Sequence, residues 1–195
     1  MRRQFAFSPL VLFFALFAAP SVRAESVVLH ELACENKLVG LIDGARERVD
    51  VSVYSINNKR LVAALIAAHD RGVKVRVLTD RVQAGGSSSK IWELLDAGVE
   101  LRVHSHKRIM HTKVGIYDGV SVSSGSFNWT EPAVRKNEEV CDVFVDEPDY
   151  ARQHQVLFDA RWADNPAEKS DEWIAKKRAE RAKKAARKAE DNAPE

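Results

Sequence analysis

Two kinds of apolar spacing alternate along this chain, and the alternation limits its possible folds more than any other feature. Residues 38–45 carry apolar side chains at helical spacing, and RVDVSVYSI then alternates apolar and polar residues as a strand does. The next unit repeats that order, with a helical stripe in NNKRLVAALIAAHDRG that ends at Gly72 and the strand-like VKVRVLTD after it. We therefore expect an α/β fold with a mixed, mainly parallel sheet flanked by helices, in one domain.

The second half of the chain continues the pattern. QAGGSSSK is typical of a loop, IWELLDAG of a short helix, and VELRV of another strand. EEVCDVFVD then predicts a further strand and DYARQHQVLFDARWAD a helix. We expect the globular domain to span residues 25–165 and to end near Asn165 and Pro166.

The first 24 residues have the pattern of a secretory signal peptide. A basic start at Arg2 and Arg3 precedes an apolar run and a small-residue site that ends at Ala24. A membrane anchor is the alternative, but the apolar run is interrupted and short for a bilayer span. We expect cleavage after Ala24, a periplasmic or secreted location, and no stable membrane insertion after cleavage.

If the chain is exported, its two cysteines, Cys34 and Cys141, can form a disulfide. Both would enter an oxidising compartment, where a disulfide can form. Their separation in sequence does not reveal their distance in space, so the sequence leaves a disulfide and two buried thiols equally open.

Positive charge is concentrated at the end of the chain. The formal net charge is only +2 over 195 residues, but residues 166–195 gather lysine and arginine among alanines. We interpret this segment as a solvated, partly helical tail, with an arm that holds a polyanion as the alternative.

The segment MHTKVGIYDGVSVSSGSFNWT carries the chemistry. In a strand, His111 and Lys113 lie on the same side, since side chains alternate between faces. Asp118 with Gly119 predicts a hairpin turn, and the returning strand brings Ser126 and Asn128 to the same neighbourhood. Imidazole, ammonium, hydroxyl and amide groups together suit a phosphodiester, because charged donors bind phosphoryl oxygens and histidine is a competent nucleophile.

A zinc site is a competing interpretation. His104, His106 and His111 form an H-x-H-x4-H cluster, and catalytic zinc needs three protein ligands. No carboxylate lies within the cluster to complete a familiar hydrolase pattern. We expect His104 and His106, beside Lys107 and Arg108, to line a groove that meets phosphates.

The spacing of these residues resembles the HKD motif of the phospholipase D superfamily. His111-x-Lys113, four residues, Asp118, six residues, then Gly125-Ser126 and Asn128 match that motif, and the further fixed positions make a chance match improbable. From about residue 27 to 162, including GSFNWT and KNEE, the chain is similar to the small exported bacterial endonucleases of that superfamily.

This resemblance implies a fold, a mechanism and residue roles. Members form a phosphohistidine intermediate without a metal ion or cofactor, using two facing motifs. The chain has one His-x-Lys motif, so the resemblance implies a homodimer in which His111 is the nucleophile in one subunit and the general acid in the other. Lys113, Ser126 and Asn128 would bind the phosphate, and Asp118 would support local structure.

A glutamate orients the catalytic histidine in these nucleases. Glu139 falls at that position, but Val140 follows it where the family often has asparagine, and Glu138 is a neighbouring alternative. Neighbours on a strand face opposite ways, so only one of the two should reach the site.

These observations predict a metal-independent, largely sequence-nonspecific endonuclease acting on DNA and possibly RNA as a homodimer. A phospholipid phosphodiesterase of the same mechanism and a non-catalytic nucleic-acid-binding module are the alternatives. A lipid enzyme should expose apolar residues around its active-site mouth.

Overall fold

The computed structural model describes residues 24–191. The expected signal peptide therefore lies outside the described residues except for Ala24. The strands are β1 (Glu25–His30), β2 (Arg48–Val53), β3 (Lys74–Asp80), β4 (Glu100–His104), β5 (Lys113–Tyr117), β6 (Ser121–Gly125) and β7 (Val140–Val145). The helices are α1 (Glu31–Gly44), α2 (Lys59–Asp70), α3 (Arg81–Ala84), α4 (Ile91–Asp96), α5 (Glu131–Arg135), α6 (Pro148–Asp164) and α7 (Ala167–Asp191).

All seven strands form one sheet, in the order β1-β7-β6-β5-β2-β3-β4. The α/β fold with a mixed sheet is confirmed, but the expectation that the sheet is mainly parallel is wrong. Only β2 with β3 and β3 with β4 pair in parallel, and the other four pairs are antiparallel. The antiparallel half arises because β5 and β6 are joined by a tight hairpin, which reverses the chain, whereas helices join the parallel strands.

The sheet is covered on both faces. Val49, Val51 and Val53 of β2 lie in a core with α1, α2 and α4, as their alternation predicts. On the other face, Ile116 and Val122 pack with Phe158 of α6 and with other buried residues. Because both faces are covered, even the polar residues Asp50 and Ser52 of β2 are buried.

The strand β1 was not predicted from the sequence. It pairs antiparallel with β7 at the edge of the sheet, in a register that sets Leu29 opposite Cys141. Its side chains are half-buried or exposed, and Val28 is 60% exposed. An edge strand with so little buried surface carries a weak apolar pattern.

A disulfide joins Cys34 of α1 to Cys141 of β7, with their Cα atoms 6.1 Å apart. This resolves the alternative that the sequence left open. The bond fixes the first helix to the strand that runs beside the end of β6.

The basic segment after residue 165 is a long helix whose first turns pack on the domain. Ser170 is buried, and its hydroxyl accepts a hydrogen bond from the Val103 amide of edge strand β4 at 3.1 Å. The Trp173 ring stacks on Trp92, with 6.5 Å between centroids. The helix α7 thus covers an open sheet edge, a feature that a solvated tail does not have. None of the helices within residues 24–191 is both long enough and apolar enough to cross a membrane.

Candidate active site

His111 and Lys113 lie at the carboxyl ends of the parallel strands, where β5 begins. The His111 side chain is exposed and Lys113 is buried. The Lys113 ammonium lies 3.0 Å from Nδ1 and 3.1 Å from Nε2 of His111 and donates to the His111 carbonyl oxygen at 3.0 Å. A ring nitrogen that carries no proton can accept from this ammonium, and the same lone pair could attack an electrophile once that contact is released.

The environment of Lys113 disfavours its charged form. Burial lowers the pKa of Lys113, and the nearby negative charge of Glu139 opposes that shift. A partly desolvated ammonium binds an anion more strongly than a hydrated one, because fewer water contacts must be replaced.

Tyr54 completes this part of the site, and sequence reasoning did not find it. Its ring meets the His111 ring edge to face at 4.7 Å, and the Lys113 ammonium lies 5.4 Å from the Tyr54 ring centroid. The Tyr54 hydroxyl accepts a hydrogen bond from Gln83 Nε2 at 2.8 Å, and the backbone amide of Tyr54 donates to the Thr112 carbonyl oxygen. Its place just after β2 was the one available signal, since side chains that follow parallel strands gather at one sheet edge.

Asp118 lies at the opposite end of β5 from Lys113. Asp118 and Gly119 have φ values of 50° and 70°, the conformation of a tight hairpin turn. The Asp118 carboxylate accepts from the amides of Arg46, Glu47 and Arg48 at 2.8 to 3.0 Å. The residue joins the hairpin to the loop before β2, and the structure places it apart from His111.

The hairpin delivers the end of β6 to the site. Gly115 pairs with Ser123, and the same register continued by two residues sets Lys113 beside Gly125. Gly125 has a φ of 142°, and a Cβ at this position would lie 2.4 Å from the Val140 carbonyl oxygen. Only glycine therefore allows β7 to approach so closely.

Ser126 and Asn128 follow this glycine. The Ser126 amide donates to the Val140 carbonyl at 3.0 Å, and its hydroxyl accepts from the Val140 amide at 3.1 Å. Asn128 is half-buried, and its Oδ1 atom has no hydrogen-bond partner among the described residues. Because an amide oxygen only accepts hydrogen bonds, a contact of Asn128 with a phosphoryl oxygen would have to come from its Nδ2 donors.

Glu139 faces Ser126 and not His111. Its carboxylate accepts from the Ser126 hydroxyl at 2.5 Å and from Asn137 Nδ2 at 2.8 Å, and its amide donates to Glu31. Glu138 is exposed, while Glu139 is half-buried. Of the two glutamates, Glu139 contacts Ser126, and its negative charge raises the pKa of Lys113.

The three histidines proposed as zinc ligands separate into two places. The rings of His104 and His106 lie 5.2 Å apart, while His111 contacts Tyr54 and Lys113. The pKa of His104 is lowered by burial and by His106. No group of three His, Cys, Asp or Glu side chains within residues 24–191 is arranged to hold a metal ion.

The site therefore combines an exposed imidazole, a buried ammonium in contact with it, and a neighbouring hydroxyl and amide. The imidazole can attack an electrophile, and the cation and amide can stabilise the negative charge that develops on oxygen. Such a set of groups suits transfer of a phosphoryl group better than it suits metal binding.

Comparison with known proteins agrees with this arrangement. Residues 38–162 match the family described as "Cardiolipin synthase, PLD-like domain". The chain is 34% identical over 134 residues to the mitochondrial cardiolipin hydrolase of Danio rerio, covering 68% of this chain and 59% of that protein. It is 37% identical over 113 residues to a phospholipase D of Rickettsia bellii, covering 58% of this chain and 56% of that protein. The chain thus spans less than two thirds of the length of these two relatives.

A solved structure has a similar fold. The phospholipase D family member Nuc from Salmonella typhimurium superposes with a TM-score of 0.70 at 29% identity, covering 74% of this chain and 97% of that one. The similarity to the Danio rerio and Salmonella proteins spans most of the domain that carries His111 and Lys113.

Proposed function

The chain belongs to the phospholipase D superfamily, whose PLD-like domain matches residues 38–162, and on this premise we propose that it hydrolyses phosphodiesters in nucleic acid without a metal ion. The contact between Lys113 Nζ and His111 Nδ1 at 3.0 Å supports this proposal most directly. It puts a nucleophile and a phosphate-binding cation side by side. The site residues proposed for the reaction are His111, Lys113, Ser126 and Asn128, with Glu139 as a positioning residue and Asp118 as a structural one.

The reaction proceeds in two displacements. A lone pair of His111 attacks phosphorus, the bond to the leaving oxygen breaks, and that oxygen takes a proton from a second histidine. Water then attacks the phosphohistidine, the P–N bond breaks, and the second histidine, now neutral, accepts the proton from water. Lys113 and Asn128 hold the non-bridging oxygens as their charge increases.

The second histidine comes from a partner subunit. The sequence contains one His-x-Lys motif, and a two-fold axis beside the exposed His111 would bring two such residues face to face. The protein is therefore proposed to act as a homodimer with one composite site.

Nucleic acid is the proposed substrate because two exposed cations lie on the loop that leads to His111. Lys107 and Arg108 precede it on an exposed loop, and neither forms a salt bridge within residues 24–191. Exposed cations of this kind engage backbone phosphates without regard to sequence. The similarity of GSFNWT and KNEE to the exported endonucleases supports the same substrate.

A phospholipid is the second candidate substrate. Val82 of α3 is 72% exposed and Ile109 on the loop before β5 is 67% exposed, both at the same sheet edge as His111. Exposed apolar side chains at the mouth are what an enzyme that binds a lipid surface needs. Curated relatives are named mitochondrial cardiolipin hydrolase and phospholipase D.

A periplasmic or secreted location is proposed with this function. The disulfide between Cys34 and Cys141 suits an oxidising compartment, and the first 24 residues have the pattern of a signal peptide.

Cleavage of plasmid DNA, RNA and cardiolipin vesicles in EDTA tests the proposal. We expect the wild type to cut nucleic acid, the His111→Ala variant to be inactive, and His69→Ala to match the wild type. His69 is a suitable control because it lies at the far end of the sheet, beside Gly98. Turnover of lipid alone would assign the second substrate, and loss of activity in EDTA would favour zinc. Nucleic-acid binding without turnover would indicate a binding module.

Mixed dimers test the composite site. If each reaction needs two copies of His111, a heterodimer of wild type and His111→Ala should be inactive. Half of the wild-type activity in purified heterodimers would show that each subunit works alone.

A further inference from the structure

A cleft beside the active site is lined by residues of α7 and of the loops after β3 and β4. Its volume is about 390 Å³, and its lining residues are Arg81, Ser105, Lys169, Glu172, Trp173 and Lys176. Arg81 and Ser105 come directly after β3 and β4, so the cleft opens at the sheet edge that also holds His111. The α7 residues lie beyond the segment matched to the family, which ends at residue 162.

The helix α7 is held in place at this cleft. Besides the contact of Ser170 with β4 and the stacking of Trp173 on Trp92, Arg178 pairs with Asp96 at 2.6 Å. Arg181 lies over the Trp92 ring at 4.9 Å. Contacts on both sides of Lys176 therefore fix the path of the helix, and with it the positions of the cleft cations.

Lys169 and Lys176 face the same way. They are seven residues apart, two helical turns, with Trp173 between them on the same stripe. Their Cα atoms are separated by about 10 Å along the helix axis, so the two ammonium groups can contact different phosphates of one strand.

The cations of the cleft are available to a ligand. Arg81, Lys169 and Lys176 are exposed, and none forms a salt bridge with another residue of the described part of the chain. Glu172 is the one acidic residue of the lining. Three cations that form no salt bridge among the described residues, with one carboxylate in the lining and an indole ring beside them, make a surface complementary to a polyanion with stacking bases.

The cleft is connected to the catalytic residues through Asp80. One Asp80 oxygen caps α3, which begins at Arg81, and the other accepts from the Met110 amide, one residue before His111. A strand whose phosphate lies on Lys113 can therefore continue past Arg81 toward α7.

We infer that this cleft binds backbone phosphates of the nucleic-acid substrate away from the bond that is cut. The inference rests on the proposed function and names a substrate-binding site outside the family domain. Lys169 and Lys176 supply two phosphate contacts, Arg81 lies between them and the catalytic site, and Trp173 offers a face to a base.

Equilibrium binding of a fluorescent oligonucleotide to the full chain tests the cleft. The His111→Ala background in EDTA prevents cleavage. Two double variants are compared. The cleft double carries Lys169→Gln and Lys176→Gln, and the control double carries Arg46→Gln and Lys74→Gln. The control removes the same charge from exposed residues at the amino ends of β2 and β3, far from the cleft.

The cleft double should bind about tenfold more weakly at moderate salt, and its slope of log affinity against log salt should be smaller by about 1.4 to 1.8. The control double should keep the affinity and slope of its parent. Glu172→Gln should bind more tightly, since it removes only negative charge.

Equal losses in the two doubles would overturn the inference, because net charge alone would then explain binding. Loss of binding to anionic phospholipid vesicles without loss of oligonucleotide binding would also overturn it and assign the cleft to a membrane. A separate cleavage assay on otherwise wild-type protein reports on the proposed function. If the cleft double binds the oligonucleotide more weakly but the otherwise wild-type protein does not cleave, only the proposed function is rejected. If the protein cleaves but the cleft double binds as tightly as its parent, only the inference about the cleft is rejected.

Discussion

The ammonium of Lys113 lies 3.0 Å from Nδ1 of His111, and the lysine residue is buried. In the proposed reaction, this contact would orient the imidazole and set the cation where a phosphoryl oxygen arrives. Because burial lowers the pKa of Lys113, the cation is lost at a lower pH than an ordinary lysine would lose it.

Activity should therefore fall on the alkaline side below the ordinary lysine pKa of about 10.4. Raising the pH through the lowered pKa removes the positive charge that binds phosphate, so KM should rise there first. A pH profile of kcat/KM checks this. Lys113→Arg should be less active but should lack this alkaline fall, since its guanidinium stays charged. An identical alkaline fall in Lys113→Arg would assign it to another group.

The pH profile also separates the two neighbouring glutamates. The charge of Glu139 raises the pKa of Lys113, so Glu139→Gln should move the alkaline fall to lower pH. Glu138→Gln is the matched control and should leave the fall in place, because that side chain is exposed. Equal shifts in both variants would argue against a specific effect of Glu139.

Tyr54 should act through its ring. Tyr54→Ala removes the edge-to-face contact with His111, and we expect kcat to fall about tenfold, since a misplaced nucleophile reacts slowly. Tyr54→Phe keeps the ring and loses only the hydrogen bond from Gln83, so its activity should stay within about threefold of the wild type. Steady-state kinetics on one oligonucleotide measures both. A larger effect of Tyr54→Phe would point to a role for the hydroxyl.

The disulfide should stabilise both the fold and the site. It closes a sequence separation of 107 residues, and removing such a crosslink typically costs about 2–5 kcal/mol. Urea unfolding of Cys34→Ala with Cys141→Ala should therefore show a lower free energy of unfolding than the oxidised wild type. Reductant should weaken the wild type and leave this double variant unchanged. Equal stability of the two proteins without reductant would contradict the prediction.

Replacing glycine by alanine should change the stability of the protein in opposite directions at Gly125 and Gly40. Gly125→Ala should destabilise the protein by more than about 1 kcal/mol, because its φ of 142° and the nearby Val140 carbonyl exclude a Cβ. Gly40 lies exposed within α1, with no atom within 4 Å of an added Cβ, so Gly40→Ala should stabilise by about 0.5–1 kcal/mol. Thermal or urea unfolding measures both. A neutral Gly125→Ala would show that β7 can move aside.

Local patterns predicted the parts of the site that depend on neighbours in sequence. The His-x-Lys spacing set both residues on one side of the chain, and their side chains are in contact. Asp118 and Gly119 predicted the turn, since few residues adopt positive φ at both central positions. The resemblance predicts that Ser126 and Asn128 lie near the same site, and the hairpin register sets Gly125, which precedes them, beside Lys113.

The sequence by itself determined the alternation of helices and strands, the hairpin, and the residue types that carry the chemistry, because these depend on side-chain periodicity and backbone preference over a few residues. Tertiary structure alone decided the antiparallel half of the sheet, the disulfide, the contact of Tyr54 with His111, and the packing of α7 on β4. Each of these joins residues far apart in sequence. Their pairing depends on which buried surfaces and backbone groups meet when the whole chain folds, and no short segment contains that information.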